Sequence, residues 1–234
     1  MCIAIVKNKN VDLPNKDILE ICFKNNPDGA GFAYCRNNNI YIKKGFFTFN
    51  GFYNALKSVN IQKDESVLIH FRVATHGKIN IENCHPFPII DKFSKMINPS
   101  LITNGSVMVH NGKLSIPITS SIYSDSMHFA RALFEFDRNN NKDFINYIIR
   151  STENNKRGNR IGILNVDGTT EIYGDNWIEK DGIFYSNDSY KENSTYKQTI
   201  KKKKKVKYIK VASTKNNPFG QIDVKDGKLY LGDI

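Results

Sequence analysis

The segment SVLIHFRVA, residues 66–74, constrains the fold most strongly, because its apolar centre, Val67 to Ile69, is unbroken. Such an unbroken run is typical of a strand buried inside a sheet. Segments with helical periodicity occur at residues 11–25 and 49–60, and a pair of them at residues 123–151. The order of strands, helices and strands, with helices in pairs, predicts helix layers that cover sheets.

Shorter apolar segments that end in turn residues predict the remaining strands. Residues 30–47 predict a hairpin whose turn lies at Asn37 to Asn39, and residues 101–117 predict a second hairpin with an Asn-Gly dipeptide at its turn. Three more strands are expected within residues 160–188, and a last hairpin within residues 220–234, with Asp226 and Gly227 at its turn. We therefore expect an α+β protein.

The net charge of +11 is concentrated in one short segment. Residues 191–215 contain ten lysines and one glutamate, whereas residues 1–190 have a net charge of only +3. We predict a folded domain at 1–190, a lysine-rich linker or tail at 191–215, and a hairpin or docking segment at 216–234. Because no aromatic residues alternate with the charges, a solvated linker is favoured over a specific nucleic-acid site. Contact with nucleic acid or another acidic surface is expected only between Lys201 and Lys207.

The four cysteines show neither CxxC pairing nor zinc-ligand spacing. No signal peptide or apolar membrane span accompanies them. We therefore expect free thiols in the cytoplasm, no membrane association, and neither a metal nor another cofactor.

Cys2 directly follows the initiator methionine. Removal of Met1 would place a thiol and a free α-amine on one residue, and the amine can act as the base for the thiol. Alternatively, residue 2 is merely a small residue that permits methionine removal. A catalytic assignment needs further groups that bind the substrate and the oxyanion.

Four segments supply candidates for these groups. They are MCIAI at the start, HFRVATHGKINIENCHPF at 70–87, VHNG at 109–112 and SDSMHFARAL at 124–133. In this order they resemble a class II glutamine amidotransferase domain, a family of N-terminal nucleophile (Ntn) hydrolases. The resemblance spans residues 2–190. It implies a four-layer αββα sandwich of two mainly antiparallel sheets.

The resemblance implies three catalytic residues. Cys2 would attack the glutamine side-chain amide, release ammonia and form a glutamyl thioester that water hydrolyses. Asn111, through its side-chain nitrogen, and Gly112, through its backbone N–H, would bind the developing oxyanion. The alternative interpretation of these last two residues is a turn that ends a strand.

The resemblance also implies five substrate-binding residues. Arg72 would bind the α-carboxylate, since its planar guanidinium matches a carboxylate better than lysine does. Thr75, His76 and Gly77 would shape the same pocket, and Asp125 would bind the α-ammonium. Alternatively, Arg72 is a surface arginine beside a strand, and Asp125 only caps a helix.

His85, in the segment NCHPF, resembles a family position that supports the active-site loop, and we assign it no chemistry. Ile3 and Val73 depart from the family, which often has glycine and an aromatic residue at these positions. Val73 would reshape the pocket, so amide hydrolysis is more strongly predicted than glutamine specificity.

The predicted function is therefore a glutaminase subunit or domain that releases ammonia for a separate acceptor enzyme, a synthase or synthetase. About 40 residues follow the resembling region, fewer than a second catalytic domain requires. One alternative is a free-standing hydrolase of γ-glutamyl amides. Another is a catalytically silent binding or structural protein whose basic tail contacts nucleic acid.

Overall fold

The computed structural model divides the chain into two compact units, Met1–Glu192 and Asn193–Ile234. In the first unit it describes residues 2–74, 79–120, 122–137, 142–151 and 158–192. In the second it describes the backbone of two strands, residues 222–225 and 228–231. The lysine-rich segment from Lys201 to Lys207 lies outside the described residues.

A seven-stranded antiparallel sheet has the order β10-β11-β1-β4-β2-β3-β6. Its strands are β1 (Ile3–Lys7), β2 (Ala30–Arg36), β3 (Asn39–Phe46), β4 (Val67–Phe71), β6 (Ser100–Thr103), β10 (Ile178–Lys180) and β11 (Ile183–Tyr185). The predicted buried strand is β4, which lies between β1 and β2 and is buried along its whole length. The centre of β4 is apolar because other elements pack against both faces of the sheet at this strand.

The predicted β2–β3 hairpin is present, and its turn consists of Asn37 and Asn38. Both residues have positive φ angles, 51° and 55°. Positive φ at both central positions matches the twist of antiparallel strands, and asparagine tolerates this conformation better than most residues.

Two predicted helices, α1 (Lys16–Asn25) and α2 (Phe49–Ser58), pack on one face of this sheet. The side chains of Asn15 and Thr48 accept hydrogen bonds from the first turns of the two helices, as good N-caps do. The rings of Phe52 on α2 and Phe71 on β4 lie 4.8 Å apart, in an edge-to-face arrangement. Aromatic packing therefore joins this helix pair to the centre of the sheet.

A second antiparallel sheet has the order β5-β7-β8-β9. Its strands are β5 (Phe87–Pro88), β7 (Val107–Asn111), β8 (Arg160–Leu164) and β9 (Thr170–Tyr173). Three helices pack against it through a separate apolar cluster, and they are α3 (Phe93–Met96), α4 (Asp125–Asp137) and α5 (Lys142–Ser151). The pair α4 and α5 was predicted from the sequence.

A third apolar cluster joins the two sheets. It contains Ala4 and Leu68 from the seven-stranded sheet and Val109 from the four-stranded sheet. A Cβ atom added to Gly162 on β8 would lie 2.7 Å from the Cγ2 atom of Val6, so the sheets approach closely here. The protein is therefore α+β, with two antiparallel sheets and few helices.

The predicted hairpin at Asn104-Gly105 is wrong. β6 pairs with β3, with Leu101 opposite Ile42, whereas β7 pairs with β8 in the other sheet. Burial explains the difference: β7 is buried throughout, while β6 alternates between exposed and half-buried residues. The Asn-Gly segment therefore connects two sheets. The strand β10 was also missed.

In the second unit, β12 (Ile222–Lys225) pairs antiparallel with β13 (Lys228–Leu231), as predicted. The predicted turn residues, Asp226 and Gly227, lie outside the described residues.

We predict that Gly31→Ala on β2 lowers the free energy of unfolding by about 3 kcal/mol, because overpacking forces the backbone to move. The added Cβ would lie 2.2 Å from the carbonyl oxygen of His85 and 2.9 Å from the Cα of Lys44. Denaturant unfolding measures the effect. Gly105→Ala is the control, since its nearest atoms would be 3.5 Å away. Equal stability of the two variants would contradict the close packing of Gly31 against His85 and Lys44.

Candidate functional site

Cys2 directly precedes β1, at the N-terminal end of the strand. Ile3 pairs with Phe71, so the same antiparallel register places Cys2 opposite Arg72. The N–H of Val73 donates to Cys2 Sγ at 3.4 Å, and the thiol can donate to the Val73 carbonyl at 3.5 Å. Burial raises the pKa of the thiol, although the hydrogen bond with Val73 opposes this shift. The thiol therefore needs a base before it can attack.

Arg72 follows β4 and is only 7 % exposed, which excludes the alternative of a surface arginine. Its backbone N–H donates to the carbonyl of Gly29 at 2.7 Å, and its carbonyl accepts from the N–H of Asp28 at 2.9 Å. The carboxylate of Asp28 also accepts from the N–H of Ala74 at 3.0 Å. Asp28 thus holds the chain beside Arg72.

Asn111 is the last residue of β7 and is 2 % exposed. Its side-chain Nδ2 donates to Ser186 Oγ at 2.9 Å. Gly112 follows with φ at 152°, and a Cβ there would lie 2.1 Å from Oδ1 of Asn159. Glycine is therefore required at this strand end. Its absent side chain leaves the backbone close to Asn159.

Two side chains that sequence reasoning missed hold the start of the chain. Ser186 Oγ accepts from the N–H of Ala4 at 2.8 Å, and Asn187 Nδ2 donates to the carbonyl of Cys2 at 2.6 Å. Both residues follow β11 directly. Small polar residues after a short strand are typical of any turn, so no sequence signal distinguished them.

Asp125 begins α4 but is not its side-chain cap. The cap is Ser124, whose Oγ accepts from the N–H of Met127 at 3.2 Å. The Oδ2 atom of Asp125 accepts from the N–H of Leu114 at 2.7 Å, and Oδ1 accepts from the N–H of Ser126 at 2.8 Å. Its carboxylate therefore joins α4 to the segment that follows Gly112.

His110 connects this helix to β7. Its Nδ1 lies 2.8 Å from Ser126 Oγ, and its Nε2 lies 3.0 Å from Oδ1 of Asn159. Because an amide oxygen only accepts, we assign the proton to Nε2, and Nδ1 then accepts from the Ser126 hydroxyl. Hydrogen bonds thus link the residues next to Asn111 with those next to Asp125.

His70 and His85 lie beside His110 in a buried cluster. The rings of His70 and His85 are 4.2 Å apart, and Nε2 of His70 lies 3.1 Å from the carbonyl of His110. Neither ring nitrogen of His85 has a hydrogen-bond partner within the part of the chain that the structure describes. Burial lowers the pKa of all three histidines, that of His70 to about 3. The cluster is therefore neutral near pH 7.

The structure places Cys2 opposite Arg72 in the register of β1 and β4, and Ser186 joins Ala4 on β1 to Asn111 on β7. His110, next to Asn111, contacts Ser126, next to Asp125. Thr75, His76 and Gly77 lie outside the described residues. Within the described ranges, no group of three histidine, cysteine, aspartate or glutamate residues could hold a metal ion. None of the helices in those ranges is long and apolar enough to cross a membrane.

The chain matches no family model and no curated protein.

We predict that His85→Phe makes stability less sensitive to acid. Below pH 6.5 the unfolded chain binds a proton at each histidine that remains neutral in the fold, so stability falls as pH falls. Each such histidine contributes about 1.4 kcal/mol per pH unit. Since His85 has no hydrogen bond to lose among the described residues, the variant should remain folded at pH 7. Denaturant unfolding between pH 7 and 4 measures the slope.

His110→Phe is the comparison, because it loses the bonds to Ser126 and Asn159. It should be less stable than the wild type at every pH. If the stability of His85→Phe fell with pH as steeply as that of the wild type, a neutral, buried His85 would be contradicted.

Proposed function

We propose that the protein hydrolyses the side-chain amide of glutamine, with Cys2 as the nucleophile. One observation carries the proposal: the Cys2 thiol contacts the backbone of Val73, directly after the buried Arg72. A thiol beside a buried guanidinium is a suitable arrangement for an amide substrate that bears a carboxylate. The ordered motifs around Arg72, Asn111 and Asp125 add support.

The first step would transfer the thiol proton of Cys2 to its own α-amine, after removal of Met1. The sulfur then attacks the amide carbon, and the oxyanion receives hydrogen bonds from Asn111 Nδ2 and the Gly112 N–H. The C–N bond breaks, and the α-ammonium returns its proton to the leaving ammonia. Water then hydrolyses the thioester to glutamate and regenerates the thiol.

Substrate recognition would use opposite charges for the two ends of a zwitterion. Arg72 would bind the α-carboxylate in a paired contact. Each oxygen of the Asp125 carboxylate accepts one N–H bond, from Leu114 or Ser126. Since a carboxylate oxygen accepts more than one hydrogen bond, Asp125 would also bind the α-ammonium. Thr75, His76 and Gly77 would complete the pocket.

The three apolar clusters support a finer proposal about the fold. One lies between the helix pair α1 and α2 and the seven-stranded sheet. Another lies between the two sheets. The last lies between the four-stranded sheet and the helices α3, α4 and α5. We propose that they separate the layers of an αββα sandwich of the Ntn-hydrolase type. Its active cysteine would stand at the end of a central strand.

The ammonia would pass to a separate synthase or synthetase in the cytoplasm, and the chemistry of Cys2 requires no metal or other cofactor. A second substrate class, γ-glutamyl amides other than glutamine, is favoured by Val73, which stands where the family often has an aromatic residue.

Cys2→Ala should abolish ammonia release from glutamine, because no other group supplies the nucleophile. Coupled measurement of ammonia and glutamate, with circular dichroism to verify folding, tests this. Cys35→Ala is the control: it removes another mainly buried thiol, which contacts the carbonyl of Val166, and should remain active. Wild-type protein without hydrolysis of any γ-glutamyl amide would favour a silent binding protein instead.

Arg72→Lys should lower kcat/KM for glutamine by about 10- to 100-fold, because a paired contact with a carboxylate contributes about 1.5–3 kcal/mol. For a γ-glutamyl-like amide without the α-carboxylate, the same substitution should change kcat/KM by less than about threefold. Equal losses for both substrates would contradict carboxylate binding by Arg72.

A further inference from the structure

Ser186 makes three hydrogen bonds that join the start of the chain to the end of β7. Its N–H donates to the carbonyl of Ala4 at 2.9 Å. Its Oγ accepts from the N–H of Ala4 at 2.8 Å and from Nδ2 of Asn111 at 2.9 Å. The side chain is fully buried. A single oxygen therefore connects the strand of the nucleophile with the amide proposed to bind the oxyanion.

The pairing of β1 with β11 explains why a serine side chain takes this position. Ile5 lies opposite Tyr185, so Ala4 and Ser186 form the next pair of the register. In a regular antiparallel pair of this kind, both residues exchange backbone N–H···O bonds. Here the N–H of Ala4 is bound by Ser186 Oγ instead. The chain leaves the sheet after Tyr185, and the side chain supplies the acceptor.

Asn187 adds a second side-chain contact with the same strand end. Its Nδ2 donates to the carbonyl of Cys2 at 2.6 Å, and its Oδ1 accepts from the N–H of Ser189 at 2.9 Å. The bond with Ser189 orients the side-chain amide of Asn187, so that its nitrogen and not its oxygen faces Cys2. Consecutive side chains after β11 therefore hold residues 2 and 4 in place.

We propose that Ser186 is a positioning residue for amide hydrolysis, whose Oγ fixes the amide of Asn111 relative to Cys2. An asparagine amide nitrogen has two N–H groups. Ser186 binds one of them and leaves the other for the oxyanion. Donors that are oriented before the reaction stabilise the transition state without reorganisation. This inference rests on the proposed function of Cys2 and Asn111.

Ser186→Ala in the full chain is the direct test. We expect kcat for glutamine to fall by about 10- to 100-fold, somewhat less than the loss of an oxyanion donor itself, with KM changed by less than about threefold. Alkylation of Cys2 by iodoacetamide passes through no oxyanion, so its rate should change by less than about threefold. Ser186→Thr keeps the hydroxyl and should restore most of kcat.

Ser66→Ala is the matched control. Ser66 is also buried, at 1 % exposure, and its Oγ donates to the carbonyl of Gly168 at 2.6 Å. It precedes β4, at the end opposite Arg72. This variant loses one buried hydrogen bond far from Cys2 and should retain the wild-type kcat.

A double-mutant cycle separates positioning from general destabilisation. In an Asn111→Ala background, Ser186→Ala should lower kcat by less than about threefold, because the amide that it orients is absent. The inference is overturned if Ser186→Ala matches Ser66→Ala, or if hydrolysis and alkylation fall equally. Wild-type protein that hydrolyses no γ-glutamyl amide overturns the proposed function itself, whatever the Ser186 variants do.

A measurement on the wild type covers the case in which Ser186→Ala does not fold. Side-chain amide NMR should show one slowly exchanging Nδ2 proton on Asn111, the one bound to Ser186. Rapid exchange of both protons would overturn the proposed contact.

Discussion

The pairing of β1 with both β4 and β11 is the constraint on which the rest of the structure depends. Chain ends usually lie at the surface, where few contacts hold them. Here Ile3 to Lys7 are all buried, between two antiparallel neighbours. This pairing presents Cys2 at the end of a central strand, opposite Arg72, and it brings Ser186 against the same strand. The position of the thiol is thus set by the core of the protein rather than by a loop.

The local pattern of the sequence was sufficient for most elements. The buried strand β4 was visible from its apolar centre, and the β2–β3 turn was visible in the asparagines that adopt positive φ. The segment at Asn104-Gly105 was misjudged, because a favourable turn dipeptide does not reveal whether its two flanking strands belong to one sheet. That depends on burial: β6 is partly exposed and β7 is fully buried, a difference that long-range packing determines.

For the candidate site, the sequence suggests residues only where they carry distinctive chemistry in recognisable order. Cys2, Arg72, Asn111 and Asp125 have that character. The groups that hold them do not, because Ser186 binds Asn111 across 75 positions of sequence, and Asp28 binds Ala74 through a residue type common in turns. The buried histidines likewise became a cluster only through the approach of the two sheets. Such contacts depend on the tertiary structure, not on any local pattern.

We propose that Cys2 is a nucleophile that becomes active as the N-terminal residue. Intact mass spectrometry, before and after treatment with a glutamine-like electrophile, is the sharpest test. We expect a chain that lacks Met1 and gains a single adduct, located on Cys2 by peptide mapping. A chain that retains Met1, or that is labelled at Cys22, Cys35 or Cys84 while Cys2 stays unmodified, would contradict it.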